Sequence, residues 1–194
     1  MKPFIISCFL ILSISLQAQL DKNTWLVGGN ANLYTYTSEF NSQSLSTTSK
    51  YTSIDLTSSI GYFVKDKFVC GLRPYFSKYK GESSGGGRTN GFKLAVGPFM
   101  RYYFLNKEKP FNILTDISYS FGTNQYRTGN YENGRFNTLY LTSGVEFYFN
   151  SSVGLEFLIG YKFQDASINN SPAAYTNSFK GFQSSIGFSF HLEK

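Results

Sequence analysis

Apolar and polar side chains alternate strictly along residues 153–163, which read VGLEFLIGYKF. One alternate set is wholly apolar: Val153, Leu155, Phe157, Ile159, Tyr161 and Phe163. The other set holds two glycines, Leu158 and two charged residues, Glu156 and Lys162. Because successive side chains of a strand point to opposite faces, this pattern predicts a β-strand with one apolar and one polar face.

The same alternation recurs in eight segments of about 12 to 14 residues, the length that a tilted strand needs to cross a bilayer. These segments are 24–35, 53–64, 68–79, 91–104, 111–122, 136–149, 153–164 and 179–192. Long spacers alternate with short ones such as KDK and NSS. The sequence therefore predicts an all-β, eight-stranded antiparallel up-and-down transmembrane β-barrel, with long loops at one end and tight turns and both termini at the other.

Apart from Lys78 and Lys180 at its long-loop end, the apolar face carries no charged residue, and aromatic residues gather at both of its ends, as they do at the two interfaces of a bilayer. The opposite face carries four acids and four bases: Asp55, Arg73, Lys93, Arg101, Asp116, Glu146, Glu156 and Lys162. The lumen of an eight-stranded barrel is just wide enough for side chains to fill, and buried charges must pair. We therefore predict a lumen plugged by ion pairs.

Five lumen residues lie at similar or neighbouring depths along their strands, so we predict that they form one connected ion-pair network: Arg73, Arg101, Asp116, Glu146 and Glu156. The alternative to a membrane barrel is a soluble, lipocalin-like barrel. Its apolar set would point inward, and all eight charges would lie on the exposed face.

The first residues have the features of a secretory signal peptide. Lys2 precedes a mostly apolar run over residues 4–16, and Ala18 ends a plausible cleavage site. We expect residues 1–18 to be removed and residues 19–194 to form the barrel domain. Cys70 is then the only cysteine, so no internal disulfide can form. The net charge of +6 comes without a basic run, so nucleic acid is not an expected partner.

The chain resembles the OmpA/OmpX-type, porin-like small outer-membrane β-barrels of Gram-negative bacteria, over the whole predicted mature chain. The resemblance rests on the eight strands, the loop asymmetry and the last strand, whose pattern is Ser185-x-Gly187-x-x-Phe190-x-Leu192. It implies insertion by the outer-membrane assembly machinery, with the termini in the periplasm. Members of this superfamily often end on an aromatic residue, whereas Glu193 and Lys194 follow here.

No motif indicates catalysis, a metal or a cofactor. His191, the single histidine, is predicted to be a hydrogen-bonded residue of the tight-turn rim, near Ser189 and Gln183 but with no acid in its strand to complete a triad. The glycine run GESSGGGRTNG lacks the Gly-Lys-Ser/Thr ending of a phosphate loop. Acids and histidine are too scattered for a metal site. We expect a protein that is not an enzyme.

Two pairs of residues on the lipid-facing set carry further predictions. Pro74 and Pro98 lie at similar depth on neighbouring strands and cannot donate to the ladder, so they mark either two bulges or a gap in the wall. Lys78 and Lys180 lie at the long-loop end, where they either anchor lipopolysaccharide phosphates or extend into solvent.

These observations predict a non-enzymatic outer-membrane barrel with a charge-plugged lumen, which displays four extracellular loops and serves membrane integrity or contacts an unidentified surface partner. Its remaining partners would be outer-membrane lipids and lipopolysaccharide. The alternative is a narrow pore, or a lateral-access transporter or binder of a small or lipophilic solute.

Overall fold

The computed structural model describes residues 20–41, 46–128, 130–168 and 175–193, and every regular element in these ranges is a β-strand. The predicted signal peptide lies outside them. The strands are β1 (Trp25–Asn41), β2 (Ser46–Lys65), β3 (Phe68–Leu72), β4 (Tyr75–Ser83), β5 (Arg88–Val96), β6 (Pro98–Tyr103), β7 (Phe111–Thr128), β8 (Asn130–Tyr148), β9 (Val153–Ile168) and β10 (Tyr175–Leu192). Within the same ranges, no helix has the length and apolar character needed to cross a membrane.

The sheet closes into a ring. The order β1-β10-β9-β8-β7-β5-β4-β2 returns to β1, because β1 pairs with both β10 and β2, always antiparallel. The short strands β3 and β4 form one staggered strand of the wall, and so do β5 and β6. Counted this way the ring has eight strands, which confirms the predicted antiparallel up-and-down barrel.

The apolar set faces outward, as the alternation predicts. Along β9, Phe157 and Ile159 are 42% and 66% exposed, whereas Glu156 and Leu158, which alternate with them, are buried. The soluble alternative, which requires the apolar set inside, is therefore wrong. Ring pairs such as Trp25 with Tyr62 and Tyr161 with Phe182, at centroid distances of 5.1 and 4.9 Å, lie toward opposite ends of the outer surface.

The strands extend well beyond the predicted segments. Residues 35–41 and 46–52 were expected in a long loop, yet they pair along their whole length, and the rings of Tyr36 and Tyr51 stack at 5.0 Å. Thr and Tyr are favourable strand residues, so polar stretches rich in them continue the ladder. The predicted long loops are thus mainly extended hairpins, and we call this side of the barrel the long-hairpin end.

The lumen at the tight-turn end is filled by apolar side chains that the sequence analysis did not single out. Phe63 stacks on Tyr103 at 5.8 Å, and both are fully buried. Leu20 enters from the segment before β1, where its carbonyl accepts a hydrogen bond from the Lys67 amide at 2.9 Å. We call this group the tight-turn cluster: Leu20, Leu26, Phe63, Val69, Phe99, Tyr103, Leu114 and Tyr148, with Leu158 adjoining it from farther along β9.

Exposed polar contacts tie the same end together. Lys107 Nζ lies 2.7 Å from Asp21 Oδ2, and this hydrogen bond, with the attraction of the carboxylate, raises the pKa of Lys107. Lys67 Nζ donates to Asn106 Oδ1 at 2.6 Å. The tight turns are therefore joined to the chain before β1.

Candidate functional site

Four charged side chains form a continuous bridge across the lumen. Arg73 makes a bidentate pair with Asp116, with Nη1–Oδ1 and Nη2–Oδ2 distances of 2.7 and 2.6 Å. Arg101 Nε donates to the same carboxylate at 3.1 Å. The guanidinium of Arg101 also holds both oxygens of Glu156, at 2.5 and 3.2 Å. We call these four residues the ion-pair layer.

Register places these groups together. Arg101 and Asp116 are directly opposite each other on β6 and β7, and Glu156 reaches them from β9. Arg73 lies where β3 gives way to β4, and its guanidinium also sits 4.5 Å from the centre of the Phe99 ring. The layer contains two cations and two anions, and Arg101, Asp116 and Glu156 are less than 10% exposed. It joins opposite sides of the barrel without excess charge.

Glu146 was expected in this network, but its direct partners are different. Its Oε1 atom accepts hydrogen bonds from the Ser189 hydroxyl and from His191 Nε2, the latter at 2.7 Å. His191 is surrounded by the rings of Phe63, Tyr103 and Tyr148, with centroids 5.8 to 6.0 Å away. Glu146 is therefore held in the tight-turn cluster, because β10 brings two polar groups to it that residue order alone did not indicate.

This arrangement does not have the geometry of a catalytic triad. The Ser189 hydroxyl donates to Glu146 and not to the histidine, and all three side chains have 0% exposure. A nucleophile must be activated by a base and be accessible to a substrate. In the described parts of the chain, no group of three or more His, Cys, Asp or Glu residues could hold a metal ion.

The remaining lumen charges lie farther toward the long-hairpin end and are not joined as ion pairs. The Asp55 carboxylate accepts hydrogen bonds from Ser53 and Tyr34, at 3.0 and 3.3 Å. In residues 20–41, 46–128, 130–168 and 175–193, neither Lys93 nor Lys162 has a hydrogen bond or an ion pair. The Lys162 ammonium lies 5.9 Å from the centre of the Tyr75 ring. This region thus holds two ammonium groups and one carboxylate.

The barrel wall is not uniformly closed. β1 pairs with β10 only from Trp25↔Leu192 to Asn30↔Gly187, whereas it pairs with β2 as far as Asn41. At the last pair the strands approach closely, and a Cβ on Gly187 would lie 2.6 Å from the Gly29 carbonyl oxygen. Beyond it, residues 31–36 of β1 and 179–186 of β10 border a cleft of about 1230 Å³, which we call the seam.

The seam connects the outside of the wall with the lumen. A cavity of about 90 Å³ extends from the ion-pair layer toward the long-hairpin end. Six residues line both this cavity and the seam: Asn32, Asp55, Leu158, Lys162, Gln183 and Ser185. On the outer side the seam is lined by apolar residues such as Leu33, Phe182 and Ile186.

The two prolines lie elsewhere, and the wall continues past them. The Pro74 carbonyl accepts a hydrogen bond from the Ser58 amide at 3.0 Å, and the Arg73 amide donates to the Gly97 carbonyl at 2.8 Å. Pro98 pairs with Leu72 across β6 and β3. The prolines therefore lie at staggered breaks in two strands, with backbone hydrogen bonds beside them, and the choice between two bulges and a gap in the wall stays a prediction.

The two outer lysines and the residues of the last-strand pattern lie on the faces of the wall that the alternation predicts. Lys78 on β4 and Lys180 on β10 are exposed on the outside, toward the long-hairpin end. In the last strand, Ser185 and Gly187 face the lumen, whereas Phe190 and Leu192 are 43% and 45% exposed on the outer surface.

Arg101→Leu should lower the free energy of unfolding by about 3–5 kcal/mol, because it leaves the buried Glu156 carboxylate without its partner. The measurement is urea unfolding in lipid vesicles. Arg88→Leu is the control, because that side chain is 79% exposed and the substitution removes only an exposed ion pair with Glu82, whose atoms are 3.9 Å apart. If both variants unfold like the parent, Glu156 is hydrated and the ion-pair layer does not stabilise the barrel.

Comparison with known proteins identifies the fold. No protein-family model matches the chain, and no curated protein matches it significantly in sequence. The outer membrane protein OprG from Pseudomonas aeruginosa superimposes with a TM-score of 0.55 at 15% identity, covering 93% of this chain and 100% of its own. Neisserial surface protein A gives a TM-score of 0.50 at 14% identity, covering 86% and 96%. The chain therefore shares the fold of small outer-membrane barrels, and its narrower likeness to OmpA and OmpX stays a prediction.

Proposed function

We propose that this protein is a non-enzymatic outer-membrane barrel whose lumen is closed to flow along its axis. The observation that carries the proposal is that two successive layers of side chains fill the lumen. The ion-pair layer crosses it, and the tight-turn cluster occupies the end below, where Phe63, Tyr103 and His191 are fully buried. A solute moving along the axis would have to displace both layers.

The outer surface supports a place in the outer membrane. Apolar side chains cover it, and the similarity of fold to two outer-membrane or surface proteins agrees with that environment. With the termini in the periplasm, the four hairpins of the long-hairpin end would project from the cell. They would supply the surface for an unidentified partner, and the plugged barrel would preserve the integrity of the membrane.

Two further parts of the proposal concern the surroundings of the barrel. The pattern Ser185, Gly187, Phe190 and Leu192 in β10 would serve as the signal for the outer-membrane assembly machinery. Lys78 and Lys180 would bind lipopolysaccharide phosphates, because both ammonium groups lie outside the wall above apolar surface and lysine is a flexible point charge suited to phosphate.

A second candidate function is lateral access, which the seam favours. A solute that entered from the long-hairpin end would meet the ion-pair layer, but it could leave sideways between β1 and β10 toward the acyl chains. Six residues shared by the seam and the lumen cavity make this route continuous. The protein would then be a conduit or binder for lipophilic solutes without being an axial pore.

The first prediction of this proposal concerns location and axial closure. The protein should be recovered from the outer-membrane fraction, migrate faster on gels before boiling than after, and show no stable conductance steps in planar bilayers. Regular single-channel steps from the unaltered protein would refute an axially closed lumen. Recovery as a soluble protein without detergent would refute the membrane assignment.

The second prediction concerns the outer lysines. Added lipopolysaccharide should raise the thermal midpoint of the parent barrel in liposomes, and Lys78→Gln with Lys180→Gln should remove about half of that rise or more. The control is Lys65→Gln with Lys109→Gln, which removes two exposed lysines from the tight-turn end. Equal shifts in all three proteins would mean that these lysines only extend into solvent.

The third prediction tests the seam. Continuing the register past Asn30↔Gly187 places Leu33 opposite Ser184, so cysteines there can form a disulfide only when the seam closes. In a Cys70→Ser background, oxidation of Leu33→Cys with Ser184→Cys should remove most of the uptake of the uncharged fluorophore phenylnaphthylamine into cells, and reduction should restore it.

The matched control is Val27→Cys with Phe190→Cys. This pair lies opposite on the same two strands, below the seam where they are already joined. Its disulfide should form and leave uptake unchanged. Formation of the Leu33–Ser184 disulfide without any fall in uptake would contradict lateral access.

A further inference from the structure

We propose that the seam binds an amphiphile with an anionic headgroup and a single hydrocarbon chain, the headgroup on Lys162 and the chain against the outer wall. This assignment rests on the lateral opening proposed above and names the class of ligand that would use it. It combines three observations: a lumen lysine with no ion pair among the described residues, a polar passage through the wall, and unusually exposed apolar side chains outside it.

The charge of the lumen changes along its axis. The ion-pair layer balances two arginines against two carboxylates, so it has no excess charge that would attract a charged ligand. Farther up, Lys93 and Lys162 interact electrostatically with each other and with Asp55, whose oxygens already accept hydrogen bonds from hydroxyl groups. The described lumen charges in this region therefore sum to one excess positive charge. A partly buried ammonium without a counter-charge is a favourable site for an anion.

Lys162, and not Lys93, lies on the path through the wall. Lys162 lines both the lumen cavity and the seam, and Lys93 lines neither. Beside it, Asn32, Gln183 and Ser185 also line both, and their side chains can donate hydrogen bonds. An anionic headgroup at Lys162 would thus find further donors within the passage.

The outer side of the seam is the most exposed apolar surface that the structure describes. The large hydrophobic side chains with the greatest exposure are Phe182 at 84%, Leu33 at 74%, Ile159 at 66% and Ile186 at 58%, and all four line the seam. Of these, Leu33 lies on β1, and Phe182 and Ile186 lie on β10. Here β1 and β10 have separated, so hydrocarbon can lie against both.

One chain fits this opening better than a membrane lipid. The seam lies between two strands that are hydrogen-bonded below it, from Trp25↔Leu192 to Asn30↔Gly187. The headgroup must pass inside the wall to reach Lys162 while the hydrocarbon stays outside. A free anionic amphiphile with one hydrocarbon chain can place its headgroup inside and its chain outside without pulling a second chain out of the bilayer.

The test is equilibrium binding of radiolabelled probes to the full barrel in phosphatidylcholine nanodiscs, with empty discs subtracted. The probes are laurate, dodecanol with the same chain but no charge, and dodecyltrimethylammonium with the opposite charge. Laurate should bind at least about tenfold more tightly than either, the scale of a hydrogen bond to a charged group. Lys162→Gln should lose that advantage, Lys162→Arg should keep it, and Lys93→Gln should change it less than about threefold.

Each other outcome has a definite meaning. If dodecanol binds as tightly as laurate, and the Leu33–Ser184 disulfide abolishes both, the anionic headgroup is wrong while lateral access stands. If no probe binds and the disulfide is without effect, both proposals fail. Equal losses in Lys93→Gln and Lys162→Gln, with the gel shift on boiling showing that both are folded, would overturn the assignment to Lys162. Loss of laurate binding in discs containing phosphatidylglycerol would make a membrane lipid the occupant and overturn the proposal.

Discussion

The whole structure depends on the requirement that backbone amides and carbonyls find partners in a wall that faces lipid. No water is available in hydrocarbon, so an open sheet edge is costly and a sheet must close on itself. In this chain the closing pair is β1 with β10, which join over the residues nearest the termini. The prolines obey the same requirement. Around Pro74 and Gly97 the ladder shifts but stays bonded, through the Ser58 amide and the Gly97 carbonyl.

At the seam, the backbone groups of two neighbouring strands are not paired with each other. Past Asn30 and Gly187 the two edge strands keep their bonds to β2 and β9 but not to each other. Their free backbone groups border a polar passage lined by Asn32, Gln183 and Ser185 and not hydrocarbon alone. Water or the polar end of a ligand can satisfy them there. The opening and the polarity of its inner lining therefore belong to one physical arrangement.

Inside the barrel, narrowness decides how charge is distributed. An eight-stranded lumen has room for side chains and little water, so a charge is least costly beside a counter-charge or near an opening. Arg73, Arg101, Asp116 and Glu156 follow the first rule, as does Glu146 with His191 and Ser189. Lys162 follows the second, because the seam reaches it. The lumen is thus filled by side chains at its tight-turn end, whereas the proposed binding site lies beside the opening farther along the barrel.

On its own the sequence supports the strand count, the antiparallel ring and the face of each residue, because a period of two requires no knowledge of neighbouring strands. It also indicated an inward arginine layer, since charges on a strand inside a barrel need partners. It could not decide that Glu156 would meet Arg101 while Glu146 would meet His191: both carboxylates point inward, and only the register around the ring selects their neighbours. Polar residues 35–52 looked like a loop, although hairpin pairing extends the strands through most of them. The seam is likewise a property of the closed structure, because the length over which β1 and β10 join depends on the stagger accumulated around the whole barrel and not on either strand alone.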